Sequence, residues 1–161
     1  MTDPRDTLYA DPLSEHGLFT FDDSVARVFP DMIKRSVPGY PTIVSMTGLL
    51  AGRYAIANST VYDLGCSLGA STLAMRQHIR QSGCRIVSVD NSSAMLERCR
   101  SVVAATTHTT DGTDHPAVDL VLADLQDVAI ENASAKIEFF GYGKRFAFCR
   151  LNYDVAEISS K

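Results

Sequence analysis

One tight turn and two later carboxylates carry most of the chemistry this sequence could do. The turn is Asp63-Leu64-Gly65-Cys66-Ser67-Leu68-Gly69, Asp90 follows 21 residues after Gly69, and Asp124 closes a third apolar run. Small residues let the backbone approach a ligand closely, and N–H groups opening the next helix favour a negative group there. A carboxylate at the position of Asp90 can accept both hydroxyls of a ribose. Asp124 is spaced to meet an adenine amino group. Each feature has a plainer reading, since Gly-rich turns occur without nucleotides and an Asp at a strand end often caps a helix. Asn91-Ser92-Ser93 could do that capping without Asp90, and Asp124 could be a solvated turn residue. In chain order, each at the end of an apolar run, the three together point to an adenosine-type cofactor.

The same turn spells G-x-S-x-G, the elbow that carries a hydrolase's serine, and a strand–turn–helix context suits that reading equally well. A hydrolase would also need an acid and a histidine at the ends of later strands. His78 instead falls in the following helix, and His108 and His115 share one polar loop. The four cysteines (66, 84, 99 and 149) form no CxxC pair, and the four histidines lack ligand spacing, so no metal site is expected. The cysteines read as reduced apolar fillers.

A frame must position these groups. Thr60–Leu64 reads as a short buried strand, followed by a helix from Ala70 to about Gln81 that Ser82-Gly83 closes. Arg85–Val89 is a second strand ending at Asp90. A helix over 94–105 follows, with Met95, Cys99, Val102 and Val103 on one face. After a loop from Thr106 to Pro116, Val118–Leu122 is a third strand. The alternation predicts right-handed crossovers and an α/β fold, a parallel sheet with helices on its faces. Upstream, Asp22 or Asp23 could cap a helix bearing Val25, Val28, Phe29, Met32 and Ile33, which Pro30 should break or restart. Beyond the turn Pro38-Gly39-Tyr40-Pro41, the residues Ile43, Met46, Leu49 and Leu50 predict a second apolar face up to about Ala57. Three regions result: an N-terminal segment and helical cover (1–57), a parallel α/β core (58–134) and a tail (135–161).

Length and composition bound these readings. A chain of 161 residues, 45% hydrophobic and 21% charged, suits one globular domain. A net charge of −4 argues against gripping nucleic acid through a basic face. No apolar run approaches a membrane span, and the start MTDPRDTLYADPL lacks an apolar signal core, so the expected compartment is the cytoplasm.

The run Val61 to Ala70 resembles motif I of the class I S-adenosylmethionine-dependent methyltransferases, with Ser67 where the middle glycine is usual. More specifically, the chain is similar to the carboxy-S-adenosyl-L-methionine synthases, formerly described as tRNA (uridine-5-oxyacetic acid) methyltransferases. The similarity rests on Thr20-Phe21-Asp22, Val28-Phe29-Pro30-Asp31-Met32-Ile33, Arg35-Ser36-Val37-Pro38-Gly39-Tyr40, the motif I turn, Asp90-Asn91-Ser92 with Ala94-Met95, and Asp127 with Ala129 to Ser134. The resemblance implies a Rossmann-like methyltransferase fold and an enzyme that converts S-adenosyl-L-methionine and prephenate to carboxy-S-adenosyl-L-methionine and phenylpyruvate. It implies a homodimer, and a partner carboxymethyltransferase that uses the product on the wobble uridine of tRNA. Carried over, Tyr40 would contact the cofactor and Gly65, Cys66 and Ser67 would face its methionine part. Asp90 would bind the ribose with Asn91 beside it, and Asp124 and Leu125 would frame the adenine. No covalent nucleophile or catalytic side chain is implied. The alternatives are an ordinary methyltransferase acting on a small molecule or tRNA, and a non-catalytic binding remnant.

After Ser134 the likeness stops, and the chain runs Ala135-Lys136-Ile137-Glu138-Phe139-Phe140 to Lys161. Ile137 and Phe139 alternate with charges in the manner of a strand. Lys144, Arg145 and Arg150 read as a solvated basic tail, not a substitute for the family's carboxylate-reading arginine. The change suggests a truncated or frameshifted copy of a longer gene whose C-terminal strands are missing. Such a chain is expected to be unstable or to aggregate and to have little or no activity, because a cut parallel sheet bares an apolar edge.

Overall fold

The computed structural model describes residues 23–106 and 115–129, and the backbone of one further strand, Ala133–Glu138. Asp22 as a helix cap, the Thr20-Phe21-Asp22 and Glu131-Asn132 matches, His16, His108, Cys149 and the basic tail lie outside the described residues. The elements in chain order are α1 (Asp23–Ser36), α2 (Tyr40–Tyr54), β1 (Thr60–Leu64), α3 (Ala70–His78), β2 (Arg85–Asp90), α4 (Ser93–Ala105), β3 (Ala117–Leu122), a 3-10 turn (Leu125–Asp127) and β4 (Ala133–Glu138).

The four strands form one parallel sheet in the order β3-β2-β1-β4. Strand β1 is therefore central, and all five of its residues are buried. The order reverses beside β1, and ligands in such sheets sit at that reversal, beyond the strands' carboxyl ends. In register, Leu64 lies beside Val89 and Asp90 beside Leu122, so the turns after β1, β2 and β3 reach the same edge. The boundary expected at Ser134 falls inside β4, whose Lys136, Ile137 and Glu138 pair with Tyr62, Asp63 and Leu64.

Helices cover the sheet as expected, with α2, α3 and α4 all packed on one face. Val61 and Ile86 join Ala51, Ala55, Met75 and Ile79 in one buried cluster with Val118 against it. Leu120, on the same face as Val118, packs against Leu96 and Cys99 of α4. The reason is topological: the steps β1 to β2 and β2 to β3 run in one direction, and two right-handed crossovers then put both helices on one side. The opposite face, with Tyr62, Leu64 and Val89, is met by Ala123, Leu125 and Val128. Complete burial of Met75, Ile79 and Ile86 contributes about 1.5–3 kcal/mol per side chain.

Three local expectations are corrected. Helix α1 runs unbroken through the exposed Pro30, because Val25, Ala26, Val28, Phe29 and Met32 bury one stripe on both sides of it. Helix α3 ends at His78, short of Gln81, as Ile79 turns to extended backbone. The apolar face read on α2 is also not the buried one: Met46 and Leu49 are 47% and 49% exposed, while Thr47, Gly48 and Ala51 are buried. Close approach decides this. A Cβ on Gly48 would stand 2.6 Å from the Ala74 carbonyl oxygen, and one on Gly52 2.6 Å from that of His78. The two helices touch backbone to backbone, which only the small-residue stripe allows.

The buried Arg76 ties the far end of the sheet. Its guanidinium donates to the carbonyls of Pro116 and Val103 and to Thr106 Oγ1 at 3.2–3.4 Å, fixing the end of α4 against the start of β3. Helix α1 packs at the other end, where Val25, Phe29 and Met32 meet Met95 of α4, with Leu68 of the turn against them.

Candidate functional site

The turn after β1 is held open by backbone geometry. Gly65 and Gly69 adopt left-handed φ of 80° and 82°, and Ser67 does so at 48° despite its side chain. The N–H groups of Gly65 and Cys66 both donate to the Val89 carbonyl, at 2.8 and 2.9 Å. The Ser67 N–H donates to Asp90 Oδ2 at 2.9 Å, and the Ser92 N–H to Asp90 Oδ1 at 2.9 Å. Asp90 thus clasps the turn to the end of β2, and each oxygen keeps acceptor capacity for a ligand. The plainer role for Asp90, capping α4, belongs to Ser92, whose Oγ accepts from the Met95 N–H at 3.2 Å.

Beside the clasp, Asn91, Ser93, Leu122, Ala123 and Asp124 line a cleft of about 210 Å3. Asp124 is exposed and caps the 3-10 turn through a long 3.4 Å contact from the Gln126 N–H. Leu125 does not line the cleft. Its side chain turns inward against the Tyr62, Leu64 and Val89 cluster. Tyr40 opens α2 and is half-buried; burial, then the charge of Asp63, raises its pKa above the usual 10.0. Gly65, Cys66, Ser67, Asp90, Asn91 and Asp124, six of the eight expected residues, gather at this edge, and Leu125 supports from behind.

Sequence reasoning passed over Asp63 as a site residue. It is fully buried, and its Oδ2 accepts from Thr72 Oγ1, which shares a 2.8 Å hydrogen bond with Ser88 Oγ. Its Oδ1 is buried with no partner among the described residues. Burial pushes the carboxyl up from the usual 3.8 to about 6, against the Thr72 bonds that pull it down. An acid amid an apolar strand, Val61-Tyr62-Asp63-Leu64, was the available signal. Such an orphaned buried acceptor is costly unless something binds it.

The family description "Methyltransferase domain" matches residues 62–142, half of the chain and all of the site except Tyr40. The chain belongs to the methyltransferase-domain family. It is 53% identical over 155 residues to a carboxy-S-adenosyl-L-methionine synthase of Vibrio cholerae, covering 93% of this chain and 61% of that protein. That alignment continues past Ser134. Synthases of the same name from Aliivibrio salmonicida and Yersinia pestis are 55% identical over 132 and 130 residues, covering 82% and 81% of this chain and 52% and 46% of those proteins. The chain thus spans about half to three-fifths of the length of these curated relatives. Among solved structures, a Methanococcus maripaludis protein described as an S-adenosyl-L-methionine-dependent methyltransferase superposes with a TM-score of 0.56 at 22% identity. It covers 80% of this chain and 54% of its own, and supports the fold.

Proposed function

We propose that this chain binds S-adenosyl-L-methionine at the edge formed by the turns after β1, β2 and β3, and that its activity is that of a carboxy-S-adenosyl-L-methionine synthase. The observation that carries the activity is the 53–55% identity to synthases of that name over 81–93% of the chain. The residues present fit the ligand. Asp63 Oδ1 offers an unpartnered buried acceptor to a cation, suited to the ammonium of a methionine moiety. The remaining acceptor capacity of Asp90 suits ribose hydroxyls, with Asn91 beside it. The cleft between Asn91 and Asp124 suits an adenine, with Asp124 receiving its amino group. Gly65, Cys66 and Ser67 supply close backbone, and Tyr40 closes the cradle from α2. Leu125 backs the adenine wall from the core.

The ligand itself supplies the chemistry, a methyl group whose hydrogens are acidified by the adjacent sulfonium. The chain's own residues bind and orient the reactants, which is catalysis by proximity. In the proposed reaction prephenate gives phenylpyruvate, water and a carboxyl group that replaces one methyl hydrogen. A homodimer, and hand-over of the product to a tRNA carboxymethyltransferase, belong to the same proposal. So does a cytoplasmic setting; no helix among the described residues is long and apolar enough to cross a membrane.

The test is incubation of the chain with S-adenosyl-L-methionine, with and without prephenate, followed by mass spectrometry of the nucleoside products. A prephenate-dependent product heavier than the substrate by one carboxyl, formed together with phenylpyruvate, supports the proposal. Methyl transfer to an added acceptor without prephenate would favour an ordinary methyltransferase. Tight binding with no turnover would favour a binding remnant.

A further inference from the structure

Two of the three cysteines among the described residues meet at the cradle. Cys66 of the turn and Cys99 of α4 are buried together with Leu96 in one cluster, and the Cys66 thiol donates to the Ser67 carbonyl at 3.9 Å. Cys84 sits elsewhere, its thiol donating to the Ile56 carbonyl at 3.0 Å. The Cys99 sulfur also presses on the turn itself: a Cβ built on Gly69 would lie 2.6 Å from it. Sulfur therefore fills the space that a side chain at residue 69 would need. Both neighbours of Cys66 in the chain hold the cradle, Gly65 through Val89 and Ser67 through Asp90.

We propose that Cys66 and Cys99 form a redox pair, which a peroxide converts to a disulfide that distorts the turn and reversibly closes the ligand site. The pairing stands on the contact alone; its coupling to the ligand rests on the function proposed above.

The proton distribution suits the chemistry. The neighbouring Cys66 thiol holds Cys99 below its usual range, and Cys99, burial and the Asp63 charge push Cys66 up. That asymmetry favours Cys99 as the attacking sulfur and Cys66 as the resolving thiol. The Cys99 sulfur attacks the peroxide and the O–O bond breaks, leaving a sulfenic acid and a hydroxide that becomes water on protonation. Cys66 then attacks that sulfur, the S–O bond breaks, and a second water leaves carrying the Cys66 proton. The two thiols are oxidised by two electrons and the peroxide is reduced to two waters.

Both residues are nearly inaccessible, at 5% and 0% exposure, so reaction proceeds through local opening of the turn. A bound ligand that holds the turn will slow it. Two free sulfurs in one packed cluster must close to about 2.05 Å to bond. Helix α4 is fixed by the Ser92 cap and by buried Met95 and Leu96, so the turn yields. It already carries Ser67 at φ 48°, and its movement toward Cys99 draws the Ser67 N–H away from Asp90.

The experiment treats the whole chain with hydrogen peroxide and maps peptides without reduction, with and without S-adenosylhomocysteine. Calorimetry then measures S-adenosylhomocysteine binding by the reduced, oxidised and re-reduced protein. The expected result is a Cys66–Cys99 linked peptide pair, forming more slowly under saturating ligand. Affinity should fall by about tenfold or more on oxidation and return with dithiothreitol. Cys99→Ala should make binding insensitive to peroxide, and Cys84→Ala should leave the sensitivity intact. If Cys99→Ala does not fold, the peptide map of the native chain decides. Absence of the linked pair, or a linked form that binds as tightly as the reduced one, overturns the proposal. A reduced chain that binds no S-adenosylhomocysteine would instead overturn the proposed function and the coupling, while the linked pair stands or falls on the map.

Discussion

Asp63→Asn separates the cost of a buried charge from its use. The carboxyl titrates at about 6 in the folded chain against the usual 3.8, because burial disfavours its charged form. The folded state therefore holds a proton that the unfolded state has lost between these values, and stability falls as pH rises through that window. At 1.36 kcal/mol per pH unit the charged group costs about 3 kcal/mol once pH exceeds 6. Asparagine is nearly isosteric with the protonated acid and stays neutral, so it avoids that cost. Thermal denaturation of both proteins without ligand, from pH 4 to 8, isolates the effect, since other titrating groups cancel in the difference. The variant should match the native chain near pH 4, gain on it as pH rises, and level off above about pH 7. At roughly 2–4 °C per kcal/mol for a chain of this size, the final gap is about 6–12 °C. Ligand binding should move the other way. Loss of a charged acceptor should weaken S-adenosylmethionine by about 10- to 100-fold at pH 7.5. A stability gap that does not change with pH would refute the buried-charge reasoning, and unchanged affinity would refute the role given to Oδ1.

Other substitutions probe the frame. Gly69→Ala puts a Cβ onto the Cys99 sulfur at a left-handed φ, and should cost about 2–4 kcal/mol by chemical denaturation. Gly48→Ala drives α2 against the Ala74 carbonyl and should cost about 1–3 kcal/mol, whereas Met46→Ala, on the exposed side of the same helix, should stay within about 0.5 kcal/mol. Ser67→Gly relieves a left-handed side-chain residue and should leave stability equal or raised by up to about 1 kcal/mol, with ligand affinity kept in calorimetry. Asp90→Asn leaves one of its two backbone donors facing an amide and should lower ligand affinity by about tenfold or more.

The alternation of short apolar runs with amphipathic segments was enough to read the parallel α/β core from the sequence, because strand and helix periods differ and turns punctuate them. The edge of the site was legible for the same reason: Gly65 to Ser67, Asp90 and Asp124 each stand where an apolar run ends. Local pattern did not decide which face a helix buries. On α2 the more apolar side faces outward, because Gly48 and Gly52 allow backbone contact with α3 and that packing outweighs the burial of Met46 and Leu49. Nor could local rules carry α1 through Pro30, where a stripe buried on both sides offsets the lost backbone bond. Leu125 stood next to Asp124 in the chain, but its side chain went to the core. The chain order of strands and helices, and the residue types that stand at the strand ends, follow from short-range periodicity and composition. Long-range packing decides that α2, α3 and α4 share one face, that Asp63 is buried with one oxygen unpartnered among the described residues, and that Cys66 and Cys99 share one cluster. These depend on long-range contacts that no local window contains.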